Sequence, residues 1–303
     1  MPEKRISSLY VASLRLDRWP RSLAIIVGSA AFLLVHPARL SSDLTLTLVL
    51  RIFLAFLLTW MASTANYIIN EITDAPFDAF HPGKKHRPLV QNKISVNILL
   101  VGWLLLVLAA LGLAQFFYSP YFTFSLGALL LAGILYNVPP MRMKDIPYLD
   151  STVESANNPI RFLIGWYVLA TSFPPFSLLL AWWAFGNFLM VGKRVAEKKF
   201  LTAAESSAYR RSLNRYSVNG LVIFMAGNGL LFLAMFILFA LAMNLKTFLY
   251  VLPFIVFYLI YFLHKSTQDR DAAEEPETML KNPYFALYTI FLVAVFIIAF
   301  WLR

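Results

Sequence analysis

Apolar residues along this chain come in nine long blocks that are separated by short or polar stretches. The blocks lie near residues 22–37, 44–69, 96–117, 121–138, 160–174, 176–192, 217–243, 247–263 and 284–302. Apolar runs of about 18 residues or more are typical of transmembrane helices, whereas the helices of soluble domains carry a polar face. The pattern predicts an all-α polytopic membrane protein, a bundle of nine transmembrane helices with polar loops on the cytoplasmic side.

The composition agrees with a membrane protein. Hydrophobic residues make up 59% of the chain and charged residues 14%, whereas soluble domains are about half apolar and about a quarter charged. We predict that residues 1–303 form a single integral membrane domain, of which residues 1–21 are a basic cytoplasmic segment. A cleaved signal peptide is the alternative for this N-terminal region. Because the chain has no cysteine, disulfides, thiolate catalysis and cysteine-bound metals are excluded.

The positive charges are distributed unevenly between the two sides of the predicted bundle. All but four of the 26 Lys and Arg residues lie in the N-terminal segment or around the polar stretches after blocks two, four, six and eight; the exceptions are Arg39, Arg51, Lys246 and Arg303. Cytoplasmic loops are enriched in Lys and Arg. We therefore predict a plasma-membrane protein with its N-terminus and polar loops in the cytoplasm and its C-terminus outside. This placement accounts for the net charge of +10, so nucleic acid is not an expected partner.

The first polar stretch, NEITDAPFDAFHPGKKHRP, follows the second block at residues 70–88. Asn70, Asp74 and Asp78 are spaced by four residues, which places them along one helix face. Two carboxylates and an amide oxygen, with positions left for water and phosphate, suit Mg²⁺. Pro76 is expected to kink or end the helix. A solvated loop is the alternative, but ionisable groups that adjoin an intramembrane face are usually functional.

Two further stretches follow the fourth and sixth blocks. Residues 136–166 carry Lys144 and then Asp150, Glu154, Asn157 and Arg161, which follow one helix face. This surface is compatible with a second phosphate, with hydroxyls or with more metal. A structural loop packed on the bundle is the alternative there. The stretch GKRVAEKKF, residues 192–200, holds Lys193, Arg194 and Glu197, for which the alternatives are membrane anchors and a helix-surface pair. The four histidines show no metal spacing, so no zinc site is predicted.

Together these stretches resemble the UbiA superfamily of intramembrane prenyltransferases. Its first motif, NDxxDxxxD, is matched at Asn70, Glu71, Asp74 and Asp78, with Glu in place of Asp at the second position. Within the superfamily the chain is most similar to the branch of decaprenyl-phosphate phosphoribosyltransferases, on three grounds. The branch-specific residues matched are His81, Pro82, Lys84, Arg87 and Pro88 after the first motif, Lys144, Pro147, Asp150, Arg161 and Gly165 in the second, and Gly192, Lys193, Arg194, Ala196, Glu197, Arg211, Ser212, Leu213 and Tyr216 in the third.

The resemblance implies an Mg²⁺-dependent enzyme that transfers 5-phosphoribose from phosphoribosyl diphosphate to a polyprenyl phosphate and releases diphosphate, for synthesis of cell-envelope glycolipid precursors. Membrane lipids surround it, and a homo-oligomer is left open. It implies Asn70, Asp74 and Asp78 as metal ligands and Asp74, Asp78 and Asp150 as catalytic residues. The implied substrate-binding residues are Lys84, Arg87, Lys144, Asn157, Arg161, Lys193, Arg194 and Glu197.

Two alternatives remain. The first keeps the fold and uses a prenyl diphosphate with an aromatic or lipid acceptor; it needs carboxylates in both motifs but fewer cations, so the number of cations favours phosphoribosyl transfer. The second is a non-enzymatic membrane protein, such as a transporter or an assembly subunit. It requires polar residues along a path through the bilayer, and only Arg51, Asn187 and Asn228 are candidates.

Overall fold

The computed structural model describes residues 6–36, 46–79, 85–200, 211–268 and 282–302. Within these ranges the chain is helical throughout, with no strand. The α-helices are α1 (Ile6–Ser13), α2 (Ile25–Val35), α3 (Leu46–Asp78), α4 (Val96–Phe117), α5 (Pro120–Asn137), α6 (Leu149–Trp166), α7 (Phe176–Phe200), α8 (Val218–Ala242), α9 (Leu252–Gln268) and α10 (Pro283–Trp301). Short 3-10 helices lie at Leu16–Ala24, Met143–Asp145, Arg211–Arg215 and Lys246–Val251.

The helices α2 to α10 correspond one by one to the nine predicted spans, which confirms the all-helical architecture. Eight helical stretches of the described chain are long and apolar enough to cross a membrane, and α6 is not one of them. The predicted span at 160–174 is wrong in its position, because α6 begins at Leu149 and ends at Trp166. The polar first half of α6 can be helical because its charged side chains have partners elsewhere in the fold: Arg194 on α7, Ser212 and Tyr216.

Helix α3 also departs from its predicted end. Pro76 lies inside the helix, which continues to Asp78. Of the two expected effects of Pro76, an end of the helix is wrong, and a kink stays a prediction. Proline has no N–H to donate to the carbonyl four residues earlier. The carbonyl affected is that of Ile72. Close to it, Thr73 Oγ1 donates to Ile69 O at 2.9 Å, and Arg142 Nη1 donates to Thr73 O at 3.2 Å.

The described helices group into two compact units, whereas the prediction of a single domain stays a prediction. The first unit comprises Met1–Met143 and Ile160–Pro174. Its central helix is α3, which packs on both α4 and α5. Asn66 on α3 donates from Nδ2 to Leu129 O at 2.8 Å, and a Cβ at Gly133 would overlap the Asn66 side chain at 2.2 Å. Asn66 therefore fixes α3 against α5.

Within the same unit, α2 crosses the second half of α6 at two glycines. A Cβ at Gly28 would lie 2.0 Å from Phe162 O, and a Cβ at Gly165 would lie 1.8 Å from Ile25 O. Ser29 Oγ donates to Gly165 O at 2.7 Å. Small residues are how membrane helices bring their backbones into contact, so this crossing fixes the second half of α6 on α2.

The second unit comprises Lys144–Pro159 and Pro175–Arg303. Its most extensive helix contact joins α7 to α8. Asn187 Nδ2 donates to Asn228 Oδ1 at 2.9 Å, and Asn228 Nδ2 donates to Phe224 O at 2.8 Å. These two residues were the candidates for a polar path in a transporter. In the structure they hydrogen-bond to each other between two helices, which is a common way to join helices in a membrane.

Several helices expose large apolar side chains. On α4, Leu105 is 62% exposed and Leu108 is 60% exposed, and on α10 the corresponding value for Ile290 is 67%. A soluble monomer rarely exposes contiguous apolar surface of this extent. These faces are suited to contact with lipid, as expected of an integral membrane protein.

Candidate functional site

The acidic residues at the end of α3 are paired with arginines from other parts of the first unit. Arg87 Nη1 lies 2.6 Å from Asp78 Oδ2 and 3.1 Å from Glu71 Oε2. Glu71 and Asp78 are seven residues apart, about two turns, so they share a helix face that one guanidinium can bridge. Arg15 Nε lies 3.9 Å from Glu71 Oε2. Both carboxylates are buried, so Arg87 supplies the charge that permits their burial.

Asp74 faces a different arginine of the same unit. Arg142 Nη2 donates to Asp74 Oδ1 at 2.9 Å, and its guanidinium lies over the ring of Phe77 at 4.4 Å from the centroid. The Asp74 side chain is 16% exposed, more than that of Asp78. Arg142 was visible in the sequence as a cation after Pro140, but no spacing rule connects it to Asp74.

The donor set at the end of α3 fits the predicted Mg²⁺. Asn70, Asp74 and Asp78 offer hard oxygen donors on successive turns, and Mg²⁺ commonly takes one or two carboxylates and completes its shell with water and substrate phosphate. Among the described residues there is no group of three or more His, Cys, Asp or Glu side chains arranged to hold a metal. The assignment of Asn70, Asp74 and Asp78 as metal ligands therefore stays a prediction.

The second unit holds a separate charged cluster around Arg194, which is fully buried. Its Nη1 donates to Glu197 Oε2 at 2.6 Å and its Nη2 donates to Glu154 Oε2 at 2.8 Å. Its Nε lies 3.1 Å from Asp150 Oδ2. The Nε–H does not point at that oxygen, so this third contact is an ion pair without a hydrogen bond. We call Arg194, Asp150, Glu154 and Glu197 the Arg194 cluster.

Asp150 is held from further sides. Ser212 Oγ donates to Oδ2 at 2.9 Å, the Tyr216 hydroxyl donates to Oδ1, and the backbone N–H of Ser151 donates to Oδ1 at 2.8 Å. The Tyr216 hydroxyl in turn accepts from Tyr148 N at 2.6 Å. Burial, followed by the charge of Asp150, raises the pKa of Tyr216, so the phenol keeps its proton and remains a donor. Asp150 therefore ties residues 212–216 to α6.

Arg161 lies in the first unit and has few partners. Its Nη2 donates to Ser63 Oγ at 3.4 Å, and its Nε is buried without a hydrogen-bond partner. Tyr67 and Arg21 are the ionisable groups within electrostatic reach. In the part of the chain that the structure describes, no carboxylate forms an ion pair with Arg161. A guanidinium with a buried, unpartnered Nε and, among the described residues, no carboxylate in an ion pair with it is a candidate for an anionic ligand.

The other predicted site residues lie as follows. Lys84 is outside the described residues. Lys144 and Lys193 are buried in the second unit, and Asn157 Nδ2 donates to Glu154 O on its own helix at 3.0 Å. The predicted sites of the first motif and of the third motif thus each form a charged cluster in their own unit, and their substrate-binding roles stay predictions.

Several residues that complete these clusters were not among the predicted site residues. They are Arg15 and Arg142 in the first unit and Glu154, Ser212 and Tyr216 in the second. For Glu154 a signal was present, since it follows Asp150 by one four-residue step and so shares its helix face. For the other four, pairing depends on tertiary contacts that spacing does not reveal.

Comparison with known proteins gives a family. The sequence profile described as the UbiA prenyltransferase family matches residues 24–281. Decaprenyl-phosphate phosphoribosyltransferase of Mycolicibacterium smegmatis is 26% identical over 219 residues, 71% of this chain and 65% of that protein. The enzyme of the same name from Corynebacterium glutamicum is 22% identical over 223 residues, 71% of this chain and 62% of that protein. The match thus spans slightly less than two thirds of the length of these curated relatives.

Solved structures share the fold. A UbiA homolog from Archaeoglobus fulgidus bound to DMAPP and Mg²⁺ has a TM-score of 0.63 at 15% sequence identity, covering 93% of this chain and 99% of that one. A structure of digeranylgeranylglyceryl phosphate synthase has a TM-score of 0.66 at 16% identity, covering 98% of this chain and 99% of that one. At these identities the likeness shows the fold alone.

Proposed function

Because this chain belongs to the UbiA prenyltransferase family, we propose that it is an integral membrane transferase that moves 5-phosphoribose from phosphoribosyl diphosphate to a polyprenyl phosphate and releases diphosphate. The bond from the anomeric carbon to the diphosphate oxygen breaks, and a bond from that carbon to an acceptor phosphate oxygen forms. The curated relatives named decaprenyl-phosphate phosphoribosyltransferase support this choice of substrates.

The proposal rests mainly on the surroundings of Arg161. A prenyl diphosphate bears charge only at its diphosphate, whereas phosphoribosyl diphosphate bears a further phosphate on the ribose. That further phosphate needs a cation that is not already neutralised by carboxylates. Arg161 has one long hydrogen bond to a neutral hydroxyl and a buried Nε with no partner, and a phosphate would supply its missing counter-charge with charge-assisted hydrogen bonds.

The residues at the end of α3 are proposed to bind the metal and the diphosphate. Asn70, Asp74 and Asp78 would hold Mg²⁺, which when bound neutralises the diphosphate and so makes it a better leaving group. Arg87 forms an ion pair with Asp78 and orients its carboxylate, as Arg142 does for Asp74. Catalysis by such residues consists mainly of positioning and charge stabilisation.

Four further residues complete the assignment. Lys84 and Arg87 are proposed to bind phosphate oxygens of the donor, and Lys144 and Lys193 to bind phosphates of donor or acceptor. The product would be a precursor of an envelope glycolipid. The prenyl chain of the acceptor would stay in the bilayer, against the apolar surface of the protein.

The test is a transfer and binding assay on purified protein in detergent. The protein would be incubated with Mg²⁺, ribose-labelled phosphoribosyl diphosphate and polyprenyl phosphates of several lengths, and the label in the lipid fraction would be counted. We expect lipid-linked label from the wild type. Arg161→Gln should weaken donor binding by about 10- to 100-fold, since a hydrogen bond to a charged group contributes about 1.5–3 kcal/mol.

Lys93→Gln is the matched control, because Lys93 is exposed and its loss removes the same charge. Equal effects of the two substitutions would contradict the role of Arg161. Tight binding of geranylgeranyl diphosphate, without binding of phosphoribosyl diphosphate, would instead establish the alternative of a prenyltransferase that uses an aromatic or lipid acceptor.

A further inference from the structure

Arg194 is paired with carboxylates inside the protein, as Arg87 is, but it contacts three of them and its side chain is not exposed, whereas the Arg87 side chain is 18% exposed. Three carboxylates surround it: Asp150 and Glu154 on α6 and Glu197 on α7. Each of the three guanidinium nitrogens lies within 3.1 Å of a carboxylate oxygen, and none of the side chain is exposed. To bind a phosphate, Arg194 would have to give up ion pairs with buried carboxylates and accept an anion beside three negative charges. The sequence-based expectation that Arg194 binds a phosphate therefore conflicts with its surroundings.

The members of the Arg194 cluster differ in their access to a ligand. Asp150 and Glu197 have side chains that are 0% and 1% exposed, whereas the Glu154 side chain is 27% exposed. Arg194 contacts Glu154 through Oε2 at 2.8 Å. Its other two contacts, with Asp150 and Glu197, fix the guanidinium itself. Glu154 is thus the member that can touch a substrate, and its carboxylate is oriented by an arginine that cannot.

Asp150 strengthens this arrangement. Its two oxygens accept from Ser212, Tyr216 and the Ser151 N–H as well as facing Arg194. A carboxylate with so many fixed donors does not rotate freely, so it gives the Arg194 guanidinium a rigid support on α6. Glu197, three residues after Arg194 on the same helix, supports it from the other side.

We propose that Arg194 is a positioning residue for the transfer reaction, which acts by holding the Glu154 carboxylate in the orientation that contacts the substrate. Glu197 belongs to the same support and does not bind substrate. This inference rests on the proposed function for its substrate, phosphoribosyl diphosphate. It makes Glu154, which was not among the predicted site residues, the substrate-facing residue of the second unit.

The test separates binding from turnover. Arg194→Lys keeps the charge but cannot reach three carboxylates with a planar fork, and Glu154→Gln keeps the shape of Glu154 without its charge. For each variant and for the double variant, kcat and KM for phosphoribosyl diphosphate would be measured at saturating polyprenyl phosphate. The donor Kd would be measured by titration. Arg215→Lys is the control, because Arg215 is exposed and lies in the same unit.

We expect Arg194→Lys to lower kcat by about 10- to 100-fold, the cost of misplacing a reacting group by about 1 Å, with KM and Kd changed less than about threefold. The double variant should be no worse than Glu154→Gln alone by more than about threefold, because Arg194 acts through Glu154. Arg215→Lys should match the wild type.

Other outcomes would overturn the proposal. A tenfold or larger rise in donor Kd with unchanged kcat would make Arg194 a phosphate ligand, and unchanged kcat per folded molecule would make the cluster purely structural. If Arg194→Lys does not fold, Glu197→Gln removes one support with less disturbance and should show the same loss of kcat at constant Kd. If the wild type transfers prenyl groups instead, the proposed function fails, and the same series with geranylgeranyl diphosphate tests the role of Arg194. Absence of both activities would overturn both proposals.

Discussion

Arg142 donates a hydrogen bond from Nη2 to Asp74 Oδ1 at 2.9 Å, across 68 residues of sequence. The same guanidinium donates from Nη1 to Thr73 O at 3.2 Å and lies over the ring of Phe77. Arg142 therefore contacts three neighbouring residues at the end of α3. Because a planar guanidinium bonds in fixed directions, this contact fixes the direction of the Asp74 carboxylate as well as its charge.

The first prediction is that transfer depends on Asp74 and Asp78. Asp74→Asn and Asp78→Asn keep the side-chain shape but remove the charge needed for a divalent metal, so we expect turnover to fall at least 100-fold. Substitutions one shell further from a metal already cost about 10- to 100-fold. Turnover would be measured with and without EDTA, and folding by size-exclusion chromatography in detergent. Full activity in EDTA, or in either variant, would contradict the metal assignment.

The second prediction concerns Arg87, which bridges Glu71 and Asp78. Arg87→Ala leaves two buried carboxylates without this partner. Removing one member of a buried pair costs about 3–5 kcal/mol; because the Arg87 side chain is 18% exposed, we expect a loss on the order of 2–3 kcal/mol and a lower apparent melting temperature. Adding Glu71→Gln to Arg87→Ala should recover part of the lost stability, since one of the two carboxylates that had paired with Arg87 is then neutral. If the changes in stability of the two single variants simply add in the double variant, Glu71 and Arg87 do not interact.

The third prediction tests the crossing of α2 and α6. In Gly165→Ala the new Cβ would lie 1.8 Å from the Ile25 carbonyl oxygen, and a backbone atom cannot move away cheaply. We expect a clear drop in apparent melting temperature, because the Ser29 hydrogen bond to Gly165 O is lost with the crossing. Gly102→Ala is the matched control: nothing lies within 4 Å of its Cβ, and alanine favours a helix by about 1 kcal/mol over glycine. Equal effects at the two glycines would refute the close approach.

The fourth prediction is the orientation in the membrane. The chain has no cysteine, so a single introduced cysteine is a unique label. Lys93 and Lys246 are both exposed and lie in loops that the charge distribution assigns to opposite sides. In intact cells a membrane-impermeant maleimide should label Lys246→Cys but not Lys93→Cys, and permeabilised cells should show both. Labelling of both in intact cells, or of Lys93→Cys alone, would overturn the predicted orientation.

The sequence predicts the helices of this protein well and their polar contacts poorly. Long apolar blocks identify helices α2 to α10 because membrane helices satisfy their own backbone hydrogen bonds and need only length and hydropathy. Periodicity also places Asn70, Asp74 and Asp78 at the end of one helix. It could not pair Asp74 with Arg142, because that contact depends on how α3 and the segment after α5 fold together.

The start of α6 is a second feature that the sequence does not predict. Hydropathy alone places a helix from residue 160, where the apolar residues begin, yet the helix starts at Leu149. Its polar turns are stabilised by Arg194 and by Ser212 and Tyr216, which lie at least 40 residues further along the chain. A charged helical segment of this kind looks like a loop until its partners are known.

The Arg194 cluster also constrains how this sequence can diverge. A change at Arg194 removes an ion pair from each of three carboxylates, and a change at Asp150 or Glu197 removes one ion pair from the arginine. We therefore expect single substitutions at these positions to destabilise the protein, and viable change to require that two or more positions alter together. Among homologues, positions 150, 194 and 197 should therefore covary as a set, while exposed Arg215 drifts independently of them.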